Sequence, residues 1–200
     1  MKRLFIATIL AAGTAAPCAA AASAPKWRWV SANEYYFILP TAQRLRVPDR
    51  GGSVTVHPWG VGFRAVGGEG VSRTGALQLQ SVKVDSAGVG RDTFYLLDLL
   101  LGLEYITPQR EGRPLRFKAG ASADLGLSDN DLYFTPVLSA GLLYGTDAAA
   151  ETQKGFTFDV YYRLTDIDLD NAVNGYSATL RPALGFRVGY IFEGFWTVKQ

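Results

Sequence analysis

The chain carries a single cysteine, a single histidine and a single methionine in 200 residues. Cys18 and Met1 both fall within the first 24 positions, so the rest of the chain has no thiol. Disulfides therefore cannot hold it together, and a zinc or iron site built from Cys and His is excluded. Any histidine-assisted chemistry must run through His57. Long hydrophobic runs are missing too. A membrane-spanning helix needs ~18 or more apolar residues in succession, and the nearest stretch, 94–106, is interrupted by Asp98, Gly102 and Glu104. There is no low-complexity linker. Gly67-Gly68-Glu69-Gly70 lacks the strand–helix context of a phosphate-binding loop.

Excess charge of one sign is also absent. Residues 1–24 read as a secretory signal peptide, with Lys2 and Arg3 ahead of the apolar run Leu4–Leu10 and an alanine-rich stretch. Setting that segment aside leaves 18 basic against 18 acidic residues, because the formal charge of +2 resides in Lys2 and Arg3. Residues 25–200 are formally neutral. That argues against a nucleic-acid binder, which needs a basic face. Their length suits one domain.

What the chain does have is a period of two. Phe156, Phe158, Val160, Tyr162 and Leu164 alternate with Thr157, Asp159, Tyr161 and Arg163. The same beat runs through Tyr176–Val198, Arg113–Leu127, Leu132–Gly145 and Thr93–Ile106. Alternation of this kind means β-strand, one face for each set; a buried helix is the alternative for Thr93–Ile106. Ser53–Val66 and Gly75–Asp85 shift phase at His57-Pro58 and between Leu79 and Val82, as β-bulges would make them. Trp27–Leu39 supplies an eighth strand, with its parity broken at Ser31 and Asn33. The expected fold is all-β, a closed antiparallel transmembrane β-barrel of eight strands after a cleaved signal peptide.

The two faces decide the medium. One is bulky (Leu, Phe, Tyr, Val) and the other is mostly Gly, Ser, Thr and Ala with scattered charges. An eight-stranded barrel has only enough interior for side chains to fill. Bulky residues inside would overfill it and leave a glycine-rich exterior. The opposite orientation puts them in lipid. Asp98, Glu104, Asp124 and Asp159 then face inward with Arg116, Lys118, Arg163, Arg181 and Arg187, nearly balanced and able to pair. Aromatic spacing agrees. Tyr95 and Tyr105, Phe134 and Tyr144, and Phe186 and Trp196 lie ten residues apart. That separation climbs roughly 25 Å, the height between the aromatic girdles of an outer-membrane barrel.

On this pattern the chain resembles the small eight-stranded bacterial outer-membrane β-barrels. The resemblance implies residence in the bacterial outer membrane, contact with its lipid and lipopolysaccharide, and insertion by the outer-membrane assembly machinery. Members often end on a Phe. Phe192 fits that position, although Glu193–Gln200 follow. Counting strands places the tight turn Ser128-Asp129-Asn130 on the outer side, where loops are usually longer.

Chemistry has few places to reside. Barrels that remodel lipid A pair a histidine with a serine. Ser53, Thr55 and His57 share a strand face, but i and i+4 of one strand lie ~13 Å apart, so Ser53 cannot pair with His57 directly. Asp166, Asp168 and Asp170 are spaced like calcium ligands. Asn171 stands where such a loop needs Gly, and Ser177 where it needs Glu. Arg44, Arg46 and Arg50 in the segment Thr41–Gly52 match phosphate chemistry and could meet lipopolysaccharide. No cofactor is implied. The leading expectation is a non-catalytic barrel with a plugged polar interior, serving envelope structure or surface interaction. The alternatives are a lipid A acyl hydrolase or transferase using His57, a narrow channel, and a periplasmic ligand-binding barrel.

Overall fold

The computed structural model describes residues 30–197, apart from 69, 109–113, 129–130 and 146–153. Residues 1–24, expected as a signal peptide, and Trp27 and Trp29 of the expected first strand lie outside them. Eight strands close into an antiparallel barrel: β1 (Val30–Leu39), β4 (Trp59–Val66), β5 (Gly70–Ser86), β6 (Gly90–Ile106), β7 (Leu115–Ser128), β8 (Asp131–Gly145), β9 (Gly155–Arg163) and β12 (Leu184–Thr197). Their order around the wall is β1-β12-β9-β8-β7-β6-β5-β4, with β4 returning to pair with β1. The Thr93–Ile106 stretch is strand, not helix. Pairing of β1 with β12 slips between Val30 and Ala32, which accounts for the broken parity at Ser31.

Four further strands form a second sheet: β2 (Gln43–Val47), β3 (Gly52–Val56), β10 (Ile167–Val173) and β11 (Tyr176–Leu180), in the order β10-β11-β2-β3. That order repeats β9-β12-β1-β4, each cap strand joined by a short link to its barrel strand. The second sheet is thus half of the barrel wall carried onward past the rim. Prolines mark three of the four links, Pro40, Pro58 and Pro182. A proline has no N–H for a ladder, so pairing breaks there. At the fourth link the Leu164 N–H donates to the Pro136 carbonyl at 2.9 Å.

Sequence alternation therefore misplaced two boundaries. Ser53–Val66 is not one bulged strand, and Tyr176–Val198 is not one strand; each crosses from the cap into the barrel. The ladder from β5 to β6 runs unbroken from Gly70↔Ile106 to Ser86↔Gly90, so the shift near Leu79 is no bulge. Even-numbered β5 residues face inward throughout. Gln78 and Gln80 stand in the barrel, whereas Val82 and Val84 stand above it in an apolar core with Phe94, Leu96, Leu45, Val47, Ile167, Leu169 and Leu180. On the odd face, Leu77 and Leu79 are lipid-facing and Lys83 is wet. The medium changes at the rim while the register does not.

The cap end holds the two long connections, residues 40–58 and 164–183, and the start of β1 at Val30 and the end of β12 at Thr197 lie at the other. In bacterial single-chain barrels the long loops are extracellular and both termini periplasmic. The β7–β8 turn, closed by Ser128↔Asp131, is on the cap side, as strand counting placed it. No helix among the described residues is long and apolar enough to cross a membrane. Tyr95, Tyr105, Phe134 and Tyr144 point outward and are exposed, and Phe186 is half-buried on the same side. Trp196 lies within β12, outside the residues whose side chains are described.

Candidate functional site

Along the inner face of β6, residues at every second position read the interior from top to bottom. Phe94 and Leu96 belong to the cap core, and Asp98 to a polar layer. Leu100 lies in an apolar middle with Tyr36, Ile38, Ala76, Val137 and Tyr161. Glu104 belongs to a second polar layer, and Ile106 to an apolar floor with Ala32, Val66, Leu143 and Ile191.

The upper polar layer centres on Asp98. It accepts hydrogen bonds from Gln78 Nε2 at 2.7 Å, from Gln80 and from the Tyr133 hydroxyl, and pairs with Arg163 Nη2 at 3.1 Å. Asp124 shares that guanidinium at 3.4 Å. The lower layer centres on Arg64. Its guanidinium donates to Glu34, reaches Asp159 Oδ2 at 2.9 Å and Glu104 Oε1 at 3.3 Å. Lys118 Nζ sits 2.9 Å from Asp159 Oδ1. Between the layers Arg187 stacks its guanidinium over Tyr161 at 4.1 Å and over Tyr36 at 5.3 Å. Arg116 also points inward and is buried. Buried acids (Glu34, Asp98, Glu104, Asp124, Asp159) and buried bases (Arg64, Arg116, Lys118, Arg163, Arg187) match in number. A gap bordered by Arg64, Glu104, Ser122, Ser139 and Arg187 and by the apolar Ala76, Leu100, Leu103 and Ala121 has a volume of about 20 Å³, room for one water.

Nearly all the inward charges expected from alternation are brought together here. Arg181 is the exception and is corrected: it lies beyond the rim, its side chain 42 % exposed, paired with Asp166 at 2.6 Å. Glu34 and Arg64 were not singled out, although each stands opposite in parity to a lipid-facing aromatic series, Tyr35 and Phe37 or Trp59 and Phe63. That parity was signal enough.

The outer face of the cap sheet carries the remaining candidates. Asp166, Asp168 and Asp170 line β10 and its approach, and each accepts a bond: Arg181 on Asp166, Thr179 Oγ1 on Asp168 at 2.8 Å, and Ser177 Oγ on Asp170 at 3.0 Å. The backbone N–H groups of Asp170 and Asn174 donate to Asp131 and Asp92, which blunts the β10 edge. No group of three or more metal-binding side chains occurs among the described residues. Segment 41–52 is not a plain loop. It holds β2, a single 3-10 turn at Pro48–Arg50, and the start of β3. Arg44 and Arg46 project together from the exposed face of β2, Arg44 opposite Thr55, and Arg46 between Ser53 and Thr179. Arg50 is set apart, its guanidinium 4.4 Å over the Tyr176 ring. His57 is exposed in the two-residue link between β3 and β4, and Ser53 faces Arg46 rather than the imidazole.

No family model and no curated protein matches the chain. Among solved structures it is similar to the outer membrane protein OprG of Pseudomonas aeruginosa, at 14% identity over 84% of this chain and 96% of that one, with a TM-score of 0.47. It is also similar to Ail of Yersinia pestis, solved with the heparin analogue sucrose octasulfate, at 11% identity over 83% and 100%, TM-score 0.41. Neisserial surface protein A matches at 15% identity over 80% and 96%, TM-score 0.37. These are small outer-membrane barrels. The chain shares with them a closed, eight-stranded antiparallel barrel.

Proposed function

We propose that the protein is a closed, non-catalytic outer-membrane barrel that holds a folded β-sheet at the cell surface, for envelope structure or surface interaction. The observation that carries this reading is the succession of filled layers along the axis. Apolar floor, Arg64 layer, tyrosine-lined middle, Asp98 layer and cap core follow one another along the axis. Ion movement through such a stack would require breaking paired, desolvated charges, which is costly. The cap supports the second half of the proposal. It has its own apolar core, so the two long connections form a rigid platform and not a mobile fringe. Insertion would use the outer-membrane assembly machinery acting on the final strand, β12.

Planar-bilayer recording of the purified, refolded protein tests the closed barrel. The expected trace shows no steady conductance. A stable pore of nanosiemens scale would overturn the reading in favour of the channel.

A further inference from the structure

The cap sheet packs one face on the inner face of the β5–β6 hairpin, with Leu45, Val47 and Leu180 against Val82, Val84 and Phe94. Its other face must therefore point away from the barrel axis, toward the same side as the lipid-facing surface of β4, β1, β12 and β9 below it. Arg44 and Arg46 lie on that face. Arg44 follows the lipid-facing Leu39 by five residues, and Thr55 precedes the exposed Trp59 by four. At ~3.3 Å per residue and a strand tilt near 40°, this sets them roughly 10 Å above the apolar band. That is headgroup height in the outer leaflet.

Their electrostatic surroundings are unusual for a surface. Arg181 backs Arg44 across the β11–β2 ladder, its N–H donating to the Arg44 carbonyl at 2.9 Å. Its guanidinium is taken by Asp166, while Arg44 and Arg46 have no ion pair among the described residues. The carboxylates on β10 and its approach, Asp166, Asp168 and Asp170, are occupied by Arg181, Thr179 and Ser177. Like charges held side by side on a sheet repel, and an anion between them would relieve it. The flanking groups Thr55 and Ser53 carry hydroxyls, which can donate to the same oxygens.

We propose that Arg44 and Arg46, with the hydroxyls of Ser53 and Thr55, form a site for the phosphate groups of lipopolysaccharide in the outer leaflet. Guanidinium and phosphate pair in a bidentate way. The site rests on the outward placement of the cap and not on the barrel being closed, so a conducting wild type would leave it standing. The test uses the full refolded chain in phosphatidylcholine vesicles with bisphosphorylated lipid A, dephosphorylated lipid A or neither. Binding is read from the quenching of tryptophan fluorescence by brominated lipid A and from the thermal midpoint of the gel-shifted form. Wild type should prefer bisphosphorylated over dephosphorylated lipid A by about tenfold. The Arg44→Gln/Arg46→Gln double variant should lose that preference while keeping its heat-modifiable migration. Equal binding of the two lipid A forms by wild type would overturn the proposal without recourse to any variant. So would a double variant that folds and retains the preference. A sulfated oligosaccharide added from solution is the remaining arm. Arginine-dependent binding of it, with no preference among the lipids, would assign the arginines to a soluble polyanion and sink the lipid site.

Discussion

Gly62, Gly126 and Gly185 show what an inward position in this barrel demands. A Cβ at Gly62 would lie 2.2 Å from Tyr36 Cζ, at Gly126 1.9 Å from Tyr133 Cζ, and at Gly185 2.2 Å from Tyr161 Cζ. Each of these three tyrosine rings lies over a glycine of the adjacent strand, so the small-residue face is inside because it seats the few big residues that fill the bore. The charges obey the same economy of space. Arg64 serves three carboxylates at once. Replacing it by methionine, Arg64→Met, keeps much of the volume but leaves Glu34, Glu104 and Asp159 around Lys118 alone. The expected loss is about 3–5 kcal/mol, read by urea unfolding of the vesicle-inserted protein through tryptophan fluorescence. Arg44→Gln, on an exposed sheet face, should stay within roughly 0.5 kcal/mol of wild type. Comparable losses for the two would mean that Arg64 is not buried among those acids.

At the scale of elements, the strands were legible and their allegiance was not. Val54 and Val56 look like the start of the strand that continues with Trp59, Val61 and Phe63. In fact the former face an apolar core and the latter face lipid, with Pro58 between. Ala178 and Leu180 share parity with Leu184 and Phe186, yet the first pair is inside the cap and the second outside the barrel. Alternation reports that one face is apolar; it does not say whether that face meets protein or membrane. One local signal could have separated them. Asn174-Gly175, with φ of 49° and 79°, forms the two-residue turn between Val173 and Tyr176 that pairs β10 with β11. Read as a hairpin, it would have taken 167–180 out of the barrel. Because the cap has its own core, it should fail separately. Leu180→Asp is expected to expose segments 41–57 and 165–182 to external protease while a heat-modifiable barrel persists. Loss of the barrel together with the cap would show that the two do not unfold as separate units.

For the whole molecule, outward apolar residues and the inward charges other than Arg181 could be read from parity, because each strand reports its own two faces. The layering could not, since it depends on how eight strands stagger around one axis. Nor could the pairing of Arg64 with Glu34, Glu104 and Asp159, which joins strands far apart in the chain. The resulting molecule changes medium once, at the rim. Below it the outside is lipid and the inside alternates polar with apolar layers; above it the outside is water and the inside apolar. Strand β5 crosses that boundary in a single unbroken ladder. The most direct test is spin labelling along it, with Cys18 replaced by serine and one new cysteine at a time, in outer-membrane-like vesicles. Labels replacing Leu77 and Leu79 should relax with oxygen and ignore a water-soluble nickel chelate. Labels replacing Lys83 and Asp85 should do the reverse, and those replacing Gln80, Val82 and Val84 should be shielded from both. Nickel access at Leu79, or oxygen-dominated relaxation at Lys83, would contradict the account.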